Sequence, residues 1–119
     1  MTPIVGPAYV AAVLALYTAL PDTPRRARSY DTAVARALFE RGVPLQVVES
    51  ALWLGSMRRR NRPAGALPLP PVRSLAYFSP VIDEIIQQPL PVAYHDYLRA
   101  KAGQFLRPDV QKSTFSSDR

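Results

Sequence analysis

The chain has 119 residues, a formal charge of +6 and a composition of 48% hydrophobic and 20% charged residues. That sizes it for one domain with a single modest core and excludes a disordered composition. With no cysteine it has neither disulfides nor thiolate metal sites, and a reducing, cytoplasmic location is favoured.

The first apolar run, Pro7 to Leu20, is about 14 residues long where a membrane span needs roughly 20. No basic n-region precedes it, so it reads as a core helix and no membrane partner is expected. Tyr9, Val13, Leu16, Tyr17 and Leu20 recur at helical spacing, predicting a first helix from near Pro7 to just before Pro21. Pro21 to Arg28 holds two prolines and three arginines, Arg25, Arg26 and Arg28, and reads as a surface loop. Ser29 or Asp31 can cap a short second helix whose inner face is Tyr30, Val34, Ala37 and Leu38, with Gly42 placed for a left-handed C-terminal residue.

Pro44 fits the first turn of a third helix. Its apolar stripe of Leu45, Val48, Leu52 and Gly55 is widened by Val47, Ala51 and Leu54, which predicts a central position. Pro63 to Pro71 favours an extended, polyproline-like connector. Ser74 begins a fourth helical run with Leu75, Phe78, Val81, Ile82, Ile85 and Ile86, in which Pro80 marks a kink or a late start. A last helix from Val92 to Leu106 is expected to bury Tyr94, Tyr97 and Leu98, with Phe105 a further candidate. The fold class is therefore all-α, a compact single-domain bundle of about five helices over residues 1–108, with 109–119 a flexible tail.

Asp31 to Trp53, two helices around Arg41-Gly42-Val43-Pro44, has the outline of a helix-turn-helix core, in which a glycine turn lets two helices cross closely. Gly42, Val43, Val48 and Ala51 fit that outline, whereas Arg41 and Leu38 depart from it. Gln46 and Ser50, on the polar side of the second of these helices, are the candidate base readers.

From Arg25 to Arg73 ten basic residues meet three acidic ones, Asp31, Glu40 and Glu49, so this stretch carries about +7 while the rest of the chain nearly cancels. Its densest part is Arg58-Arg59-Arg60-Asn61-Arg62, directly after the third helix. A helix C-terminus favours cations by about 0.3 to 1 kcal/mol each, an effect confined to the last turn that accounts for one or two of them. The excess points to a phosphate-rich partner, DNA in preference to RNA. Arg58, Arg59, Arg60 and Arg62 are expected on backbone phosphates, with Arg25, Arg26, Arg28 and Arg73 as supporting charges.

The run Pro71-Val72-Arg73-Ser74-Leu75-Ala76-Tyr77-Phe78, continued by Ser79-Pro80-Val81-Ile82-Asp83-Glu84-Ile85-Ile86, resembles one in replication-associated proteins of plasmids, phages and other bacterial mobile elements, initiators and helicase-loader-like accessories among them. The similarity covers Ala33 to Gln88. It implies a small helical or winged-helical DNA-binding module that assists replication or transposition and is not an enzyme. Gly65 to Val72 is too proline-rich to supply the paired strands of a wing.

No catalytic signature stands out. His95-Asp96 has no nucleophile elbow or cysteine to work with, and the five glycines form no phosphate-cradling loop. Asp83, Glu84 and Asp96 are the carboxylates available for a divalent metal, but the adjacent Asp83 and Glu84 diverge by about 100° on a helix and do not easily share a ligand site. No catalytic residue, metal or cofactor is expected, and His95 reads as a partly exposed residue beside Tyr94 and Tyr97. The alternative function is a protein-interaction adaptor or homo-oligomer, using an exposed apolar patch of Trp53, Met57, Tyr77 and the Leu67 to Pro71 strip.

Overall fold

The computed structural model describes residues 5–107, so the expected tail at 109–119 lies outside the described residues. Five α-helices and one 3-10 turn follow one another: α1 Gly6–Thr18, α2 Ser29–Glu40, α3 Leu45–Arg60, the turn Leu75–Phe78, α4 Ser79–Gln87 and α5 Val92–Ala102. No strand occurs among the described residues, and the fold is all-α.

α1 turns Tyr9, Val13 and Tyr17 inward, as the apolar spacing predicts. Its final carbonyls, which have no partner within the helix, are met from elsewhere. The Thr23 hydroxyl lies 2.9 Å and 2.8 Å from the carbonyls of Tyr17 and Leu20. Arg107 donates from its guanidinium to the carbonyls of Thr18 and Thr23 and from its backbone N–H to Ala19, at 2.9 Å. A cation thus sits at the negative end of the α1 dipole.

α2 ends as its glycine predicts. Gly42 has φ +75°, its N–H donates to Phe39, and the Val43 N–H donates to Leu38. These are the two bonds of a Schellman cap, and the buried Leu38 and Val43 supply its apolar contact. The inner face of α2 is shifted from expectation: Asp31, Ala35 and Leu38 are buried, while Tyr30 is 60% exposed. The reason is Asp31, whose carboxylate accepts the Arg28 N–H at 2.8 Å and the Leu75 N–H at 2.9 Å. Two backbone donors offset the cost of taking this charge out of water.

α3 is the axis of the bundle and packs on α1, α4, α5 and the 3-10 turn. Residues Ser50 through Ser56 are buried without a break, so neighbours cover every side of its middle. Pro44 precedes the helix as its N-cap. α2 leans mainly on α1 and the 3-10 turn, and α3 mainly on α4 and α5; the close mutual crossing of a helix-turn-helix core is not what organises the two.

After α3, Gly65 turns the chain at φ +87° and an extended segment returns along the body, where the Val72 N–H donates to Asp22 at 2.8 Å. Pro80 falls in the first turn of α4, where its missing N–H would have had no partner, so the helix starts late and the residues before it form the 3-10 turn. Phe78 is fully buried there, edge-on to Tyr17 at 6.4 Å and to Tyr77 at 5.1 Å. Gly55 permits this approach, since a Cβ at that position would lie 2.8 Å and 2.9 Å from two Phe78 ring carbons. α5 is shorter than expected and rotated: His95, Leu98 and Ala102 face the core, while Tyr97 stays 45% exposed and stacks on Tyr94 at 5.5 Å.

Gly55→Ala is expected to lower stability by about 1 to 3 kcal/mol through overpacking against Phe78, read as a lower urea midpoint with unchanged slope. Asp31→Ala should cost about 2 kcal/mol, because one buried and one partly buried N–H group lose their acceptor. Asp31→Asn, which keeps one acceptor oxygen, should recover part of that loss in the same unfolding measurement.

Candidate nucleic-acid interface

Beyond Ser56, α3 emerges from its neighbours, and its last turn carries Arg58, Arg59 and Arg60. The three side chains have different surroundings. Arg58 makes a bidentate pair with Glu84 of α4 at 2.9 Å and 2.8 Å. Arg59 runs back under the connector, where it donates to the Pro70 carbonyl at 2.9 Å and the Tyr77 hydroxyl at 3.1 Å. It also approaches Asp22 at 3.4 Å, and its side chain is only 9% exposed. Arg60 turns toward the end of α5 and lies 5.3 Å over the Phe105 ring. Arg62 donates to the Leu67 carbonyl at 2.9 Å and has no carboxylate in ion-pair range among the described residues.

The expected row of phosphate ligands is therefore divided. Arg59 is a structural strut, too enclosed to reach a phosphate, and Arg58 already has a counter-charge. Arg62 and Arg73 remain on one side. Arg62 borders a hollow of about 320 Å³ with Arg58, Arg59, Leu69 and Tyr77. Arg73 borders one of about 410 Å³ with Arg59, Leu69, Pro70 and Tyr77. Shared walls make the two hollows one continuous surface. The chain around Arg73 is pinned at Val72 to Asp22 and at Leu75 to Asp31, which sets Arg73 between the two anchor points of the loop that carries Arg25, Arg26 and Arg28.

On the other side of the helix end, Arg60, Asn61, Lys101, Gln104, Tyr97 and Phe105 surround a polar hollow of about 220 Å³. Lys101 lies 5.8 Å over the Tyr97 ring. Cations held over aromatic faces, beside two side-chain amides, present donors suited to phosphate and rings suited to a base or sugar. Lys101, Gln104, Tyr97 and Phe105 lie outside the stretch from Arg25 to Arg73 that carries the charge excess and are not among the contacts expected from the sequence. Their i, i+4 spacings, Tyr97 to Lys101 and Lys101 to Phe105, were the available signal.

The candidate base readers do not join this surface. Ser50 is buried at 3% exposure and cannot meet a base. Gln46 is exposed in the first turn of α3, about 21 Å along the helix from Arg60 at 1.5 Å per residue. Of the apolar patch expected around Trp53, only the outer part is on the surface, Leu67 being 81% exposed. Trp53 is buried at 5% exposure against the His95 ring at 5.5 Å, Met57 is half-buried, and Tyr77 alone of the three is exposed.

His95, expected to be partly exposed, is buried, with Nε2 3.0 Å from Glu49 Oε1 and Nδ1 3.6 Å from Asp96. Asp83 and Glu84 serve separate partners, Arg41 at 3.4 Å and Arg58. Among the described residues no three His, Cys, Asp or Glu side chains group to hold a metal ion, and no helix is long and apolar enough to cross a membrane. The chain matches no protein-family model, and no curated protein or solved structure is significantly similar to it.

Hydrogen bonds from Arg58 hold the Glu84 carboxyl below its ordinary value, and the same contact raises Arg58. A depressed carboxylate contributes its stabilisation above its unfolded-state pKa and loses it as pH falls through the folded value. An NMR titration should therefore find Glu84 titrating below an ordinary glutamate and moving up in Arg58→Ala. The stability difference between the two proteins should vanish once the pH drops below that titration.

Proposed function

We propose that this protein is a non-catalytic DNA-binding accessory that holds the sugar-phosphate backbone around the C-terminal end of α3, and that it works in the cytoplasm in replication or mobile-element maintenance. One observation carries the reading. Arg60 and Lys101 on one side of the helix end, and Arg62 and Arg73 on the other, have no carboxylate within ion-pair range among the described residues. Each set borders a hollow with an aromatic wall. Such an array attracts a polyanion through counterion release, whatever its sequence.

Backbone gripping is favoured over insertion of a recognition helix. α3 is enclosed over Ser50 to Ser56, which leaves its end and not its flank for a nucleic acid. Gln46 stands too far away to read a base beside phosphates held at Arg60, so contacts would position the duplex more than they specify its sequence. The resemblance of Pro71 to Ile86 to replication-associated proteins supports the biological setting. The non-catalytic part rests on the residue inventory, in which cysteine is absent and the lone histidine is buried on Glu49.

Fluorescence anisotropy with duplex, single-stranded and RNA probes over a salt series tests this. Duplex affinity should fall linearly on a log-log plot, and alanine at Arg60, Arg62, Arg73 or Lys101 should each reduce the slope by about 0.9. Arg58→Ala should leave the slope nearly unchanged. Binding that ignores salt, or equal slopes in all five variants, would refute the proposal.

A further inference from the structure

From Val5 to Leu20 the chain has no charged side chain, yet among the described residues α2 and α3 cover the inner side of α1 alone. A helix that is apolar all round is ordinarily buried all round. On its outer side Pro7, Ala8, Ala11 and Ala15 are exposed. Between α1 and α2 runs a groove of about 560 Å³, walled by Val10, Ala11, Leu14 and Phe39, with Arg36 and Glu40 at its edge.

Those two charges bear on what fills the groove. They are four residues apart on α2, but arginine precedes glutamate, the less favourable order for a pair within one helix. Neither side chain makes an ion pair or hydrogen bond among the described residues. The groove thus offers one unpaired charge of each sign beside an uncharged apolar wall, a pattern complementary to itself under a two-fold rotation.

We infer that the α1–α2 groove is a homodimer interface, in which two copies pack their α1 outer faces antiparallel and Arg36 of each copy meets the partner's Glu40. The occupant is a second copy because the edge carries both signs in equal number, so two molecules of charge +6 meet at a face with no net charge. A generic acidic or basic partner would leave one of the two charges facing its like.

Sedimentation velocity over about 1 µM to 1 mM, a range that brackets weak to moderate association, should show conversion from monomer to dimer. Arg36→Glu sets glutamate against glutamate twice in the dimer, and Glu40→Arg sets arginine against arginine. Each single reversal should weaken self-association at least about tenfold. An equimolar mixture of the two reversals should form a heterodimer, and the double variant carrying both should dimerise like the unaltered chain. The double variant keeps the test decisive if one single variant folds poorly by circular dichroism. An unaltered chain that stays monomeric throughout, or a dimer indifferent to both reversals with no gain on mixing, would overturn the inference.

Discussion

The carboxylate of Asp31 fastens the start of α2 to the 3-10 turn that follows the connector. One oxygen accepts the N–H that opens α2 and the other the N–H of Leu75, across a separation of 44 residues. With that point fixed, the 3-10 turn has one position, Phe78 enters against Gly55, and α4 follows at the angle Pro80 allows. Tyr77 then stands where Arg59 can reach it, and Arg73 comes to rest between two anchored neighbours. A buried ion accepting only backbone donors has no side-chain partner to exchange, so it fixes register more strictly than an apolar residue of its size.

Much of the fold was legible because several segments obey a single rule. The α1 stripe follows the helical period without interruption, Gly42 closes α2 with the cap that a left-handed glycine makes, and the wide apolar face of α3 marks the centre. The inner faces of α2 and α5 were not legible, since each turns a polar residue inward. Asp31 and His95 are buried because Leu75 and Glu49 come to them from 44 and 46 residues away, and no local pattern announces such a partner. The same docking of α5 encloses Trp53, which the sequence alone assigns to the open side of α3.

The candidate site repeats this division. The cluster after α3 could be located from the chain, but the role of each guanidinium depends on atoms supplied from elsewhere. Glu84 neutralises Arg58, the Pro70 carbonyl and Tyr77 hold Arg59, and the end of α5 receives Arg60. Arginine serves all these surroundings because its planar fork suits carboxylates, carbonyls and ring faces alike. A count of positive residues therefore overstates the charge open to a partner. The open cationic surface is smaller than the sequence suggests and includes Lys101, which lies outside the stretch where charge accumulates.

The cap on α1 also orders events as the polypeptide leaves the ribosome. The Tyr17 and Leu20 carbonyls are met locally by Thr23, but that of Thr18 takes its guanidinium donor from a side chain 89 positions downstream, so this part of the cap closes only after Arg107 has been synthesised. Long-range closure of this kind slows folding relative to a bundle built from local contacts, and truncation ahead of Arg107 would leave the Thr18 and Ala19 carbonyls without these donors.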